Sequence, residues 1–298
     1  MMSLILRHLH FNFEPLIQIP MKVSSETSRS SFNKGLEELV KQIDKNNGQL
    51  ICIAGRPSMG KSALMISIAL NLAENNIPTA IFSLEMSNIQ IIRRLISAYS
   101  GIECEKIRAN NLSKEDEKLL TNLNETLFQF PLYIDDTAGI TIEEIKNKIR
   151  KLNAEHNIKV IFIDYLQLIN CASELLSSRK DEINHILNEL HQICVELDLT
   201  IVILCQRSKI DDDTSRDIQD SNCYKGSMNR DSMRKFDVDP DYFDTIAFVH
   251  RPMYYTRGYH SGEWSGKEEP ISIIIDKIQT DKREEFELIY NRNIAKIY

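Results

Sequence analysis

Gly55-Arg56-Pro57-Ser58-Met59-Gly60-Lys61-Ser62 lies between a short apolar run, Gln49 to Ala54 (QLICIA), and a stretch with apolar residues at helical spacing, Ser62 to Asn75 (SALMISIALNLAEN). This is the spacing of a loop that wraps the phosphates of a nucleoside triphosphate. Chemistry dictates the pattern. Two glycines let the backbone curl so that its N–H groups face the phosphates, and a helix that opens at once afterwards adds the positive end of its dipole. Both flanks comply, and the helical stretch ends in the breaker-rich Asn75-Asn76-Ile77-Pro78. The motif predicts ATP or a close relative as ligand, with Gly55, Arg56, Pro57, Ser58, Met59, Gly60, Lys61, Ser62 and Ala63 around it. Lys61 is expected to reach the β- and γ-phosphates and the Ser62 hydroxyl to ligate Mg²⁺.

Outward from this loop, strand-like and helix-like runs alternate. Strands are expected at Gln49 to Ala54, Thr79 to Leu84, Leu132 to Ile134, Lys159 to Ile163, Thr200 to Cys205 and Thr245 to His250. Helices are expected at Ser62 to Asn75, Asn88 to Tyr99, Ser113 to Phe128, Ile142 to Glu155 and Lys180 to Leu197. Such alternation predicts an α/β fold with a mostly parallel sheet and helices on both faces. The last two runs, Ile271 to Lys277 and Glu285 to Tyr290, read as an antiparallel pair at one edge, joined by the polar Thr280-Asp281-Lys282-Arg283.

Three strand ends then supply chemistry. In an open parallel sheet the ligand lies beyond the carboxyl ends of the strands. Asp164, after Ile161-Phe162-Ile163, is placed to hold Mg²⁺ through its water shell, or else to cap a turn. Glu85, after Ile81-Phe82-Ser83-Leu84, is placed to deprotonate the attacking water, or else is a carboxylate of the capping region near Ser87. Gln206, after Ile201 to Cys205, offers a neutral amide that can report the γ-phosphate. A phosphate loop, Glu, Asp and Gln on four strand ends make a motor-type ATPase site. A kinase for small molecules needs no such sensor.

The bulk properties fit a large intracellular α/β enzyme. The 298 residues can bury a sizeable core, with 42% hydrophobic and 27% charged residues. A net charge of −7 argues against an all-over basic surface for duplex DNA, although a local basic strip remains compatible with it. The six cysteines, Cys52, Cys104, Cys171, Cys194, Cys205 and Cys223, form no C-x-x-C pair and several sit in apolar runs, so reduced thiols in the cytoplasm are expected. No apolar run is long enough to span a membrane. Met1 to His10 reads as a docking arm or disordered start, and the Ser/Thr-rich residues 21–31 as a linker, which divides the chain into an arm at 1–31 and one ATPase domain at 32–298.

The sequence resembles a known family at several places in order. Gly55-Arg56-Pro57-Ser58-Met59-Gly60-Lys61-Ser62-Ala63, Phe82-Ser83-Leu84-Glu85-Met86-Ser87 and Ile163-Asp164-Tyr165-Leu166-Gln167-Leu168 are similar to three successive motifs of the DnaB-type replicative helicases. Arg179 to Ile183, Leu187 to Leu190 and Ile201 to Gln206 resemble that family's next helix, strand and sensor glutamine. The likeness covers about residues 32 to 292, the RecA-like motor domain of the family. It implies a 5'-3' DNA helicase: a homo-oligomeric ring, usually a hexamer, with Mg-ATP between subunits, single-stranded DNA through the centre and other replication proteins as partners. In the family's pattern Lys61 and Ser62 bind phosphate and Mg²⁺, Glu85 is the catalytic base, Asp164 holds the metal and Gln206 senses the γ-phosphate. Arg94 falls where the family has an arginine, or is a solvated helix charge beside Arg93.

Three departures stand out. The family's end strand carries Lys-x-Arg, both reaching a neighbour's γ-phosphate, whereas Asp276-Lys277-Ile278-Gln279-Thr280 keeps Lys277 and puts Gln279 at the arginine's place. An amide cannot replace a trans arginine, whose charge contributes roughly 10³-fold or more, so either Arg283 substitutes or hydrolysis is slow. Slow hydrolysis would make the chain a nucleotide-switched DNA-binding or assembly protein. A recombination or clock-type RecA-like ATPase is a further class. The segment from Lys209 to Asp244, where the family contacts DNA, has Asp211, Asp212 and Asp213 interspersed with Arg216, Lys225, Arg230, Arg234 and Lys235. Those five cations are the DNA-binding candidates, in a loop expected to bind weakly or by a different path. The family's N-terminal collar has no counterpart here, so Met1 to Pro20 or the motor faces are expected to support assembly.

Overall fold

The computed structural model describes residues 17–18, 34–45, 48–127, 130–171, 178–206, 229–234, 237–255, 266–277 and 282–298. Among these residues ten strands form one sheet: β1 (Ile17–Gln18), β2 (Leu50–Gly55), β3 (Thr79–Ser83), β4 (Leu132–Asp135), β5 (Val160–Asp164), β6 (Thr200–Gln206), β7 (Thr245–His250), β8 (Glu268–Lys277), β9 (Lys282–Asn291) and β10 (Lys296–Ile297). Their order across the sheet is β1-β4-β3-β5-β6-β2-β7-β8-β9-β10. β4, β3, β5, β6, β2 and β7 run parallel. β1 closes one edge and β8 to β10 the other, all antiparallel.

The central strands read as unbroken apolar runs because both of their faces are covered. In β2, Ile51 and Ile53 point into one core while Leu50, Cys52 and Ala54 point into the other. The first core is roofed by α1 (Lys34–Lys45), α2 (Lys61–Glu74) and α3 (Asn88–Ser100). The second is roofed by α6 (Ile142–His156) and α7 (Arg179–Leu197). Ile142, Ile145, Ile149 and Leu152 of α6 repeat every three or four residues, and so do Ile183, Ile186, Leu187, Leu190 and Ile193 of α7. That period gives each helix one apolar stripe against the sheet. Two further helices, α4 (Cys104–Ala109) and α5 (Lys114–Leu127), pack a small satellite core of Ile102, Ile107 and Leu120. A last short helix, α8 (Arg230–Arg234), lies near the end of β8.

The fold is therefore α/β with a mostly parallel sheet, as the alternating runs predict, and RecA-like, as the resemblance implies. The two edges hold what the sequence does not announce. Ile17–Gln18, within the arm expected at 1–31, pairs antiparallel with Ile134 and Tyr133 of β4. Two residues carry no periodicity to read. β8 and β9 are ten residues each and pair from Glu268↔Asn291 to Lys277↔Lys282, so Lys282 and Arg283 belong to β9 and not to the turn. β9 is solvated on one face, with Arg283, Glu285 and Glu287 exposed, while Leu288 on the other face is buried. Pro270 is tolerated in β8 because pairing with β7 begins only at Ser272, so no ladder donor is missed on that side. β10 anchors the chain on the phosphate-loop helix, the Ile297 N–H donating to Ser67 Oγ at 2.9 Å.

Candidate active site

Strand order sets the site. β3, β5, β6 and β2 are neighbours and parallel, so their carboxyl ends bring the residues after Ser83, Asp164, Gln206 and Gly55 to one edge of the sheet. The phosphate loop starts at Gly55, where an added Cβ would meet the Val249 carbonyl oxygen at 3.1 Å. Gly60 has φ +97°, and a Cβ there would be strained and would touch Ile271 Cδ1 at 3.4 Å. Between them Ser58 also sits in the left-handed region, with φ 64°. α2 then opens at Lys61 with no side-chain cap on its first N–H groups and no acidic residue in its first turn. That combination leaves a backbone anion site.

Lys61 is buried, and its Nζ donates to the carbonyl oxygens of Gly55 at 3.0 Å and Arg56 at 2.8 Å. Burial pulls its pKa down to about 8, against the opposing charges of Asp164 and Glu85. Asp164 is buried at the end of β5 and accepts a 2.7 Å hydrogen bond from Ser62 Oγ. Burial holds its carboxyl above the usual carboxylate range, helped by Glu85 and opposed by the Ser62 hydroxyl, Lys61 and Arg94. A hydroxyl and a carboxylate converging on one point are hard oxygen donors of the kind Mg²⁺ takes, alongside phosphate oxygens and water. Among the described residues there is no cluster of three or more His, Cys, Asp or Glu able to hold a metal without a nucleotide.

Glu85 is exposed just beyond β3. Its turn is held by the Leu84 N–H donating to the Asp164 carbonyl at 2.8 Å and by Ser83 Oγ donating to the Met86 carbonyl at 2.6 Å. Its charge acts on both Lys61 and Asp164, as does that of half-buried Arg94 on Asp164, so both lie close to the site. Gln206 ends β6 opposite Gly55. Its backbone N–H donates to Gln167 Oε1 at 3.2 Å, and Gln167 Nε2 donates to its carbonyl at 3.1 Å.

Arg251 is a site residue that the sequence reading does not single out. It follows β7, the other neighbour of β2, and is buried. Its guanidinium donates to the Ser58 carbonyl in the phosphate loop and pairs with buried Glu269 of β8. It also lies over the rings of Tyr290 and Tyr254, 5.0 and 5.7 Å from their centroids. The signal is there in the chain: a charged residue directly after a buried strand, as at Asp164.

The remaining candidates lie elsewhere. Lys277 ends β8 opposite Thr245, which is itself level with Ile51 at the start of β2. Gly55 is four residues further on, about 13 Å along the strand. Exposed Arg283, paired in register with Asp276, shares that far end of the sheet. Arg230 Nε donates to Asp276 Oδ1 at 3.0 Å, and Arg234 pairs with Asp241 at 3.0 Å. Arg216, Lys225, Lys235 and Gln279 lie outside the described residues. Cys52, Cys104, Cys171, Cys194 and Cys205 are free thiols. Among the described residues no helix is long and apolar enough to cross a membrane.

Comparison with known proteins bears on the family and the fold. The replicative DNA helicase DnaC of Bacillus subtilis (strain 168) is 35% identical over 223 residues, 74% of this chain and 47% of that protein. The chain thus spans about half the length of that relative. Among solved structures, one described as an ATPase domain has a TM-score of 0.71 at 26% identity, covering 88% of this chain and 89% of that one. A DnaB-like replicative helicase, described with its interactions with primase, has the same TM-score and identity, covering 85% of this chain and 57% of that one. The family model of the DnaB-like helicase C-terminal domain matches residues 32–298, and the chain belongs to that family.

Proposed function

We propose that the chain is the ATP-driven motor of a DnaB-type DNA helicase, hydrolysing ATP at the subunit boundaries of a ring, usually of six, that moves 5'-3' along single-stranded DNA. The observation that carries this reading is the convergence of the phosphate loop, Glu85, the Ser62–Asp164 pair and Gln206 on four adjacent strand ends. The loop N–H groups and Lys61 hold the triphosphate; Glu85 accepts the proton of the attacking water; Gln206 registers the γ-phosphate. Ser62 and Asp164 would hold Mg²⁺, which when bound neutralises charge developing on the phosphates. Lys277 and Arg283 sit at the far end of the sheet from their own phosphate loop, which suits residues that serve a neighbour's. The solved helicase studied with primase suggests other replication proteins as partners.

A second reading is favoured by Gln279, which stands where the family has its trans arginine. In that reading the chain is a nucleotide-switched DNA-binding or assembly protein with weak hydrolysis. ATP turnover with and without single-stranded DNA, measured with the oligomer's mass, separates the two. The motor reading expects an ATP-promoted oligomer whose turnover rises with DNA and falls in Arg283→Ala. The switch reading expects slow turnover that Gln279→Arg raises, because a positive charge at the transition state lowers the barrier. A monomer with linear, DNA-independent turnover defeats both.

A further inference from the structure

β5 and β6 pair as far as Asp164↔Leu204 and then part. β6 runs on to Gln206, which still faces Gly55 of β2 on one side. On the other side its neighbour has gone, because the chain after Asp164 turns into a single 3₁₀ turn, Leu166–Leu168. Both backbone groups of Gln206 face that vacated side. The Gln167 carboxamide fills it with the reciprocal pair of hydrogen bonds at 3.2 and 3.1 Å. A primary amide offers a carbonyl acceptor and an N–H donor side by side, as a peptide unit does, so Gln167 stands in for the missing strand residue.

The clasp is itself tied down. The Gln167 carbonyl accepts from Arg179 Nη2 at 3.0 Å, and the same nitrogen donates to the Ile169 carbonyl at 3.2 Å. Arg179 is the first residue of α7 and also pairs with Glu182. One continuous set of hydrogen bonds therefore joins the end of β6, the loop after Asp164 and the start of α7.

We infer that Gln167 is the positioning residue of the γ-phosphate sensor: its amide clasp on the Gln206 backbone fixes where the sensor side chain starts and ties it to the loop that follows Asp164. This rests on the motor reading of the site. Gln206 can stabilise the transition state only if its amide is held in place before the reaction, and a free strand end would not hold it. Gln167 touches neither substrate nor metal in this role. Its side chain acts through Gln206 alone.

The test uses the full chain with Gln167→Met and Gln167→Glu, following ATP turnover, binding of a fluorescent ATP analogue and thermal melting. Gln167→Met removes both hydrogen bonds at similar length, and its kcat is expected to fall about tenfold while KM for ATP stays within about twofold. Gln167→Glu supplies a pH signature. Protonated, the acid offers one donor and one acceptor like the amide; ionised, it sets a second acceptor against the Gln206 carbonyl. Its turnover relative to wild type should therefore fall as pH rises through the titration of the carboxyl, from about 4 to 7. Wild-type kcat in Gln167→Met, or loss of analogue binding in step with kcat, overturns the inference and leaves the motor reading standing. Should Gln167→Met not fold, a flat ratio to wild type across that pH range in Gln167→Glu overturns it. Absence of turnover in wild type, with analogue binding intact, defeats the motor reading instead and takes this inference with it.

Discussion

Two helices that follow strands of the same sheet begin in opposite ways. α6 starts behind a closed cap, with the Glu144 N–H donating to Thr141 Oγ1 at 3.3 Å and the Thr141 N–H to Glu144 Oε2 at 2.8 Å. Glu143 and Glu144 also set negative charge against the positive end of its dipole. α2 has no side-chain cap, no acid in its first turn, and Gly60 in the left-handed region before it. A cap of the Thr141 kind contributes about 1 kcal/mol, and α2 forgoes it. Burial offsets the loss, since α2 is buried over most of its length, from Ala63 to Leu70 without a break. The open end thus leaves its donors available to an anion.

The largest expected effect separates holding that anion from cleaving it. Glu85→Gln should lower ATP turnover about 10³-fold while binding of an ATP analogue is unaltered, because an amide keeps the shape and cannot take the proton. Single-turnover hydrolysis beside equilibrium binding reads both. Parallel loss of the two would make Glu85 part of the open end's structure and erase the distinction.

Next in size is a proton. With Lys61 at a pKa of about 8 in the free chain, binding of a triphosphate restores its charge, so uptake should approach one proton per site above about pH 8.5 and vanish near about pH 6.5. Calorimetry in buffers of different ionisation heat counts it. Without ligand the sign for stability follows from the same depression: between pH 8 and the ordinary lysine value of 10.5 the unfolded chain holds the extra proton, so stability gains from this group as pH rises through that window. Uptake that is constant from about pH 6.5 to 9 would show that Lys61 does not meet the phosphates.

The smallest effect belongs to the closed end. Thr141→Ala should cost about 1 kcal/mol in urea unfolding and leave ATP affinity where it was. A matching drop in affinity would mean that the two helix starts are not independent.

What can be read from the sequence follows the same physics. Central strands covered on both faces leave unbroken apolar runs, so the polar residues that end them, Gly55, Glu85, Asp164 and Gln206, stand out without any structure. The helix stripes of α6 and α7 are legible for the same reason. Arg230 is not: its partner Asp276 lies 46 residues away, and a cation in a loop looks the same whether it is bound for DNA or for its own sheet. Gln167 reads only as part of a motif, because its purpose depends on where β5 and β6 separate, and no local pattern marks that place. The charged ends of β8 and β9 and the two residues of β1 fail on length and polarity.

The far placement of Lys277 and Arg283 has a consequence for symmetry. A protomer whose phosphate loop opens at one end of the sheet, and whose candidate partner charges sit at the other, has two unlike faces. A two-fold dimer joins two such faces reciprocally and stops at two chains. Under the motor reading the contacts are head-to-tail instead, each chain's charges meeting the next chain's loop, and such contacts either close into a cycle or run on as a filament. The working unit is then a junction, and a single chain defective at Lys277 would silence its neighbour's nucleotide while its own was still turned over.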